Sequence, residues 1–465
     1  MQNIKKILLV VNFFLLILSC NAQDSVLNEV LEGSWLLDIE HNDIGSVRTF
    51  MEFKVNNGNF ESFTRRNADK DILGNGTASL GRLFTKNFKN GVLLRVVNGI
   101  YKTENDTLSL TGIFTSAMGN YYFNGHVVDG ELYAELRNSA KKLRGVIKGE
   151  KKQISQQPLE NYPELFEKSV KLTEDKIYNR DLIQTKEWKS FIKDMREVSA
   201  KVQDDLEMVF AYFYYAGKLP ISHYALMKIP QSDNENSQTE QVSKYVFLEE
   251  KTIETAYLKI TSFGGTAYEM DSVFYIIKQK EYKNLIVDLR NNSGGSVEAG
   301  MAFATNIAKT QFYGGIFLTQ KWFNKNKCLP TIENYPNFSH FTEANFDLII
   351  EGIHNTDGLC LKITPSQTTY NGNIYILTNN KTASTCEPIV YGLQKQRRAI
   401  VVGEKTAGAM LNGEIFELDK GFSMLIPTAD FYASDGYKID QNGVTPDAKV
   451  KQEDALDYVM KNLIK

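Results

Sequence analysis

The chain has 465 residues, enough for two or three domains, and its 42% hydrophobic and 23% charged residues are ordinary for soluble globular proteins. This composition excludes a disordered or fibrous protein. The formal net charge of −3 gives no overall basic field, which argues against nucleic acid as a partner.

Residues 1–22 have the pattern of a secretory signal peptide. Two lysines precede an apolar run from Ile7 to Leu18, which is shorter than the roughly 20 residues that span a bilayer. The sequence around Cys20 fits two kinds of processing, a bacterial lipobox in which Cys20 is lipidated, or simple cleavage. Both predict an exported bacterial protein that is periplasmic, anchored at the outer membrane or extracellular, with membrane contact only through a lipid on Cys20.

Residues 24–150 predict an all-β domain, either a barrel or a sandwich. Short β-rich runs alternate there with Asn-Gly pairs, which are typical of hairpin turns between antiparallel strands. The pairs are Asn57-Gly58, Asn75-Gly76, Asn90-Gly91 and Asn124-Gly125. Gly33-Ser34-Trp35 resembles the Gly-X-Trp start of lipocalin-type barrels. The role of this domain stays open between a ligand pocket, an interaction module and a cover over a cleft.

Three regions of different character follow. The polar residues 151–160 are predicted to form a linker. In residues 161–225 apolar residues recur at helical spacing, which predicts a small helical subdomain. From 226 to 465 strand-like and helix-like segments alternate, which predicts an α/β core with parallel strand pairs. Residues 313–370 are a candidate lid.

Two predicted strands of this core each lead into a turn and then a helix. The first is followed by Gly294 and Gly295, whose backbone N–H groups can approach a developing negative charge. The second is followed by Ser384 at the start of a helix, where the commoner role of a serine is an N-cap. Neighbouring parallel strands bring such turns to the same sheet edge. The amide of Thr385 with that of Gly294 or Gly295 is then predicted to form an oxyanion hole beside Ser384.

From residue 160 to 465 the chain resembles the C-terminal-processing, or tail-specific, serine peptidases and their tricorn-protease relatives. The motifs that carry the resemblance are Asp288-Leu289-Arg290-Asn291 with Gly294-Gly295, Thr382-Ala383-Ser384 with Glu387, Gly403-Glu404-Lys405-Thr406-Ala407-Gly408, and Asn442-Gly443-Val444-Thr445-Pro446-Asp447. The resemblance implies a ClpP/crotonase-like α/β peptidase core, a polypeptide substrate, and Ser384 as the nucleophile of an acyl transfer.

One departure from the family pattern decides which base is implied. In the tail-specific branch a lysine base directly follows the last glycine of the third motif, where this chain has Ala409. The tricorn-like branch instead uses a histidine preceded by a serine, and Ser222-His223 is the matching pair among five histidines. That branch also has a glutamate where this chain has Asp440. The resemblance therefore implies His223 as the base, with Ser222 and Asp440 holding its imidazole ring.

The sequence also bears on further domains, cofactors, disulfides and alternative functions. The segment from His223 to Thr255 is too short for the PDZ domain that these peptidases often carry. No metal-ligand spacing and no Walker-type loop occur, so no metal and no cofactor are expected. A Cys328–Cys360 disulfide is left open. A non-catalytic ligand- or peptide-binding protein on the same fold and an esterase remain alternative functions.

Overall fold

The computed structural model describes residues 30–42, 45–84, 91–104, 107–116, 119–154, 157–228, 245–341 and 346–464. The predicted signal peptide at 1–22, with Cys20, lies outside these residues. Among the helices of the described ranges, none combines the length and the apolar character that a bilayer crossing requires.

The described chain folds into a barrel, a group of helices and two further sheets. The strands are β1 (Gly33–His41), β2 (Gly45–Asn56), β3 (Asn59–Phe63), β4 (Arg95–Glu104), β5 (Thr107–Ser116), β6 (Gly119–Val128), β7 (Glu131–Arg137), β8 (Leu143–Lys151), β9 (Ala225–Lys228), β10 (Val246–Thr252), β11 (Thr255–Ile260), β12 (Asn284–Asp288), β13 (Phe312–Thr319), β14 (Ser339–Phe341), β15 (Gly358–Ile363), β16 (Asn373–Thr378), β17 (Ile400–Gly403), β18 (Leu411–Glu417), β19 (Phe422–Ala433) and β20 (Ala448–Lys449). The α-helices are α1 (Ala68–Leu73), α2 (Asn75–Phe84), α3 (Tyr162–Lys176), α4 (Lys186–Ser199), α5 (Asp205–Ala216), α6 (Ala267–Gln279), α7 (Val297–Ile307), α8 (Gln320–Lys325), α9 (Phe346–Asn355), α10 (Cys386–Lys395) and α11 (Ala455–Tyr458).

Strands β1 to β8 close into an antiparallel barrel, because β1 pairs with both β2 and β8. Alternate side chains of each strand face the interior. Large apolar ones fill it, among them Trp35, Phe53, Phe114 and Phe123, each at most 1% exposed. The predicted all-β domain is therefore confirmed, and its type is a barrel with a packed interior at these positions.

Two of the predicted hairpin turns in this domain are wrong. The pair at 57–58 does join β2 to β3, and the pair at 90–91 lies partly outside the described residues. Asn75, however, begins helix α2, and Gly125 lies within β6. A Cβ atom on Gly125 would come within 2.5 Å of the carbonyl oxygen of Tyr133. This glycine therefore permits the close approach of β7 rather than a turn.

Helices α3, α4 and α5 occupy the region predicted to be helical and dock onto the barrel. The Thr49 hydroxyl of β2 donates a hydrogen bond of 2.7 Å to the buried carboxylate of Asp204. Arg65 donates from Nε and Nη2 to the two carboxylate oxygens of Glu207, at 2.9 and 2.8 Å. A hydrogen bond to a buried carboxyl group and a bidentate pair between half-buried Arg65 and buried Glu207 thus join the barrel to helix α5 and the residue that precedes it.

The remaining strands form the two sheets that carry the predicted α/β core. The first has the order β10-β11-β12-β16-β17-β20, and every pair from β11 onward is parallel, which confirms the α/β prediction. The second has the order β14-β15-β13-β19-β18, with β9 also paired to β19. Residues 313–370 supply β13, β14 and β15, so the lid interpretation is wrong for them. Cys328 is exposed and Cys360 buried, and both are free thiols.

Within the described ranges, buried apolar side chains form two large cores. The first joins the barrel, helices α3 to α5, and parts of β9, β18 and β19. The second lies between the parallel sheet, its helices and the other sheet. The candidate site is built where elements of the two cores meet.

Candidate active site

The turns after β12 and β16 lie side by side. The two strands are parallel neighbours, with Asp288 opposite Leu377, so their carboxyl ends share one edge of the sheet. The amide of Ala383 donates to the carbonyl oxygen of Asn292 at 3.0 Å and joins the two turns. A Cβ atom on Gly294 would lie 2.7 Å from the Cβ atom of Ser384. Only glycine allows the first turn to approach the serine this closely.

Ser384 does not act as a side-chain cap of helix α10. The N-cap position is Thr385, where no side-chain cap hydrogen bond forms. In the described part of the chain the Ser384 hydroxyl makes no hydrogen bond, and its backbone has a φ of 53°, in the left-handed region. A non-glycine residue in this region costs about 1 to 3 kcal/mol and persists only where its surroundings enforce it. The hydroxyl is therefore held out of the helix and available.

Ser222, His223 and Asp440 form one hydrogen-bonded chain. The Ser222 hydroxyl lies 2.8 Å from Nδ1 of His223 and donates to Oδ1 of Asp440 at 2.6 Å. Since an ionised carboxylate only accepts, the single hydroxyl proton must point to Asp440. The contact with the imidazole is then an Nδ1–H donating to Ser222. The neutral ring consequently carries its lone pair on Nε2, as a general base requires.

Neighbouring elements fix the position of this histidine. Strand β9 begins two residues after it and pairs with β19. The adjacent Tyr224 is buried, and its hydroxyl makes hydrogen bonds with the hydroxyls of Tyr212 on α5, at 2.7 Å, and Thr173 on α3, at 3.0 Å. The helical subdomain therefore holds the backbone that presents His223.

Asp440 is fully buried, with 0% exposure. Its Oδ1 also accepts from the amide of Met410 at 3.1 Å, whereas its Oδ2 has no hydrogen-bond partner among the described residues. Burial lowers the pKa of His223, while the Asp440 carboxylate raises it, and the net pKa stays below the usual 6.5. The imidazole is therefore mainly neutral at neutral pH and can accept a proton.

The predicted oxyanion donors are partly committed elsewhere. The amide of Gly294 donates to the side-chain Oδ1 of Asn292 at 2.9 Å. The carbonyl oxygen of Gly295 accepts from the Thr385 hydroxyl at 2.8 Å, which holds these two residues against each other. Of the predicted donors, the amides of Gly295 and Thr385 therefore remain as the pair next to Ser384.

The structure brings Ser222, His223 and Asp440 together, and it places Ser384 against Gly294. Within the described ranges no hydrogen bond joins the Ser384 hydroxyl to His223. Hydrogen bonds of this kind are often formed only when substrate is bound.

Two buried residues of the site have contacts that the sequence did not predict, Asn292 and the motif residue Glu387. Asn292 is 0% exposed, and besides accepting from Gly294 it donates from Nδ2 to the carbonyl of Ile260 at 3.0 Å. Its signal was the Asn-X-Gly spacing, which is typical of an Asx turn. Glu387 accepts hydrogen bonds around Ser384, and its signal was the Ser-X-X-Glu spacing of a capping box.

Comparisons with known proteins cover mainly the α/β region. The model of peptidase family S41 matches residues 254–450. Carboxyl-terminal-processing peptidase 3 of Arabidopsis thaliana chloroplasts is 26% identical over 197 residues, 42% of this chain and 31% of the relative. The carboxyl-terminal-processing protease of Synechocystis is 27% identical over 197 residues, 42% of this chain and 38% of the relative. The chain thus spans well under half the length of these two curated relatives.

Solved structures show weaker likeness over longer stretches. The photosystem II D1 C-terminal processing protease is 13% identical with a TM-score of 0.39, over 63% of this chain and 94% of that one. The tricorn protease is 11% identical with a TM-score of 0.42, over 90% of this chain and 53% of that one. These likenesses carry no argument about function. The more specific likeness is the sequence match, in which residues 254–450 fit the model of peptidase family S41.

Proposed function

We propose that this chain is a serine peptidase of the Ser/His kind, which hydrolyses peptide bonds of exported or unfolded polypeptides through an acyl-enzyme on Ser384. One observation carries the proposal. The chain from Asp440 through Ser222 leaves Nε2 of His223 as the basic nitrogen, and the Ser384 hydroxyl makes no hydrogen bond with any residue that the structure describes.

In the proposed mechanism the proton of Ser384 moves only to His223, and Ser222 and Asp440 stabilise the charged ring. Ser384 Oγ attacks the carbonyl carbon of the substrate while Nε2 of His223 takes the hydroxyl proton. The imidazolium that forms donates from Nδ1 to Ser222, whose hydroxyl donates to Asp440. The buried carboxylate thereby stabilises the positive ring without itself taking the proton.

The negative charge of the tetrahedral intermediate is assigned to two backbone donors. The amides of Gly295 and Thr385 donate to the oxyanion. As the intermediate collapses, the C–N bond of the substrate breaks and the leaving amine takes the proton from His223. Water then adds to the ester on Ser384 and gives a proton to His223. The C–O bond to Ser384 breaks, the serine oxygen takes that proton from His223, and the carboxylic acid product leaves.

The proposal includes a location and a substrate class. Lys5, Lys6 and the apolar run up to Leu18 support export, and Cys20 is the proposed site of a lipid anchor. The relatives are named for C-terminal processing. For this chain we propose cleavage of exported or unfolded polypeptides, and C-terminal processing is not part of the proposal.

Labelling with a serine-reactive phosphonate, read as intact protein mass, tests the nucleophile. Wild type is expected to gain a single adduct, Ser384→Ala none, and His223→Ala to react far more slowly because its hydroxyl lacks a base. Ser293→Ala is the matched control, since Ser293 is an exposed serine of the adjoining turn. It should label like wild type. A labelled Ser384→Ala protein would show that another residue is the nucleophile.

Turnover of an unfolded polypeptide and of a short ester, measured side by side, separates the alternative functions. The proposal expects both to be cleaved by wild type and neither by Ser384→Ala. Cleavage of the ester alone would identify an esterase. Absence of both turnover and labelling would favour a non-catalytic binding protein.

A further inference from the structure

Glu387 is a buried carboxylate that the proposed proton transfers do not use. It lies in the first turn of α10 and is 0% exposed. Its Oε1 accepts from the Thr406 hydroxyl at 2.6 Å and the Gly408 amide at 2.7 Å. Its Oε2 accepts from the amides of Ala409, at 2.9 Å, and Ser384, at 3.1 Å. Both oxygens are therefore fully engaged, which leaves the group unsuited to transfer protons.

Glu387 contacts the backbone of Ser384 at both ends. Its carboxylate accepts from the Ser384 amide, and its own amide donates to the Ser384 carbonyl oxygen at 2.8 Å. In a complete capping box the glutamate reaches back to the serine amide while the serine hydroxyl accepts from the glutamate amide. Here the carbonyl of Ser384 takes that second bond in place of the hydroxyl. Only the bond from the Ser384 amide to the Glu387 carboxylate matches the capping box, and the Ser384 hydroxyl takes no part in it.

The same carboxylate connects the nucleophile to the Asp440 side of the site. The amide of Ala409 donates to Glu387, and the carbonyl oxygen of Ala409 accepts from the Ser384 amide at 3.2 Å. The next amide, that of Met410, donates to Asp440. One stretch of backbone thus touches the turn of the nucleophile and the carboxylate that orients the base.

We propose that Glu387 is a positioning residue that caps the helix in place of the serine side chain, and so keeps the Ser384 hydroxyl free to act as the nucleophile. This inference rests on the proposed function. The left-handed backbone of Ser384, with a φ of 53°, needs such enforcement, because an ordinary serine at a helix start relaxes into a side-chain cap.

Loss of the carboxylate should therefore return the hydroxyl to the capping role. In Glu387→Ala the Ser384 hydroxyl is expected to accept from the amide of residue 387. A displacement of about 1 Å at a reacting atom costs about 100-fold in rate. Glu387→Gln keeps the shape and one carbonyl oxygen, so its loss should be smaller, about tenfold.

The experiment measures phosphonate labelling rate, kcat and KM for both variants, with Glu404→Gln as the control. Glu404 belongs to the neighbouring motif, and its carboxylate accepts from Gln452 rather than from the turn of the nucleophile. The expected result is a loss in labelling rate and kcat at unchanged KM, with Glu404→Gln at wild-type rates. A folded Glu387→Ala protein that labels at the wild-type rate would overturn the proposal. If Glu387→Ala does not fold, a wild-type rate for Glu387→Gln has the same meaning.

A crystal structure of the variant that folds supplies a readout that does not depend on activity. A Ser384 hydroxyl bonded to the amide of residue 387 is expected. A hydroxyl still free of that amide would refute the capping role, even if wild type proves to be a peptidase. Conversely, a wild type that neither labels nor cleaves would overturn the proposed function, and with it the catalytic purpose assigned to Glu387.

Discussion

Replacing Ser222 by alanine removes the hydroxyl that joins His223 to Asp440. Two hydrogen bonds are lost, one of 2.8 Å to the imidazole and one of 2.6 Å to the carboxylate. Nothing then fixes the proton on Nδ1, so both neutral tautomers of the ring become populated. Among the described residues, Asp440 then keeps the amide of Met410 as the one donor to Oδ1.

The expected fall in kcat depends on how much stronger these hydrogen bonds become in the transition state. A hydrogen bond to a charged group contributes about 1.5 to 3 kcal/mol. The bond from Nδ1 gains its charge only when the imidazolium forms, so this increment belongs to the transition state. A loss of about 1.5 to 3 kcal/mol lowers kcat about 10- to 150-fold. KM should not change, because Ser222 is assigned no contact with substrate.

The assay is steady-state cleavage of an unfolded polypeptide at a pH above 7. Ser222→Thr is the matched control, since threonine retains the hydroxyl at the same place and should restore most of kcat. A kcat of Ser222→Ala within twofold of wild type would refute the role assigned to the chain of Ser222, His223 and Asp440. A lower kcat/KM that comes entirely from a higher KM would refute it too.

The remaining predictions concern the base and the turn beside the nucleophile. Because burial holds the pKa of His223 below 6.5 and only the neutral ring accepts a proton, kcat/KM should rise with pH to a plateau whose midpoint lies below 6.5. Asp440→Asn removes the charge that raises this pKa, so the midpoint should move lower as the plateau falls, and an upward shift would contradict the scheme. Gly294→Ala places a Cβ atom 2.7 Å from that of Ser384, so labelling should slow about 100-fold. Gly58→Ala, also at positive φ but with nothing within 4 Å, should leave the labelling rate unchanged and control for backbone strain.

The meeting of the two turns at the site could be predicted from sequence alone. Apolar strands followed by Gly294 and by Ser384, within an alternating strand and helix pattern, require neighbouring parallel strands to share one sheet edge. The resemblance to known peptidases supplied Ser222, His223 and Asp440, which lie far apart along the chain and share no local pattern.

Other features depend on contacts that local sequence does not encode. The pairs at Asn75 and Gly125 have the same composition as the true turn at 57–58, yet a neighbouring strand and a helix start decide their conformation. The spacing between Ser384 and Glu387 can be seen in the sequence, but the hydrogen bonds of the Glu387 carboxylate cannot. It depends on donors that a separate segment, residues 406–409, brings to the carboxylate.

The two large cores divide the proposed nucleophile from its base. Ile221 and Tyr224, on either side of the base, pack in the core that includes the barrel, whereas Cys386 and Ile389, beside the nucleophile, pack in the other core. A chain in which only one core has formed therefore holds half of a reactive pair. The proposed reaction therefore requires both cores to have formed and packed against each other. The barrel precedes every motif of the family in sequence, yet its core is one that the proposed activity depends on.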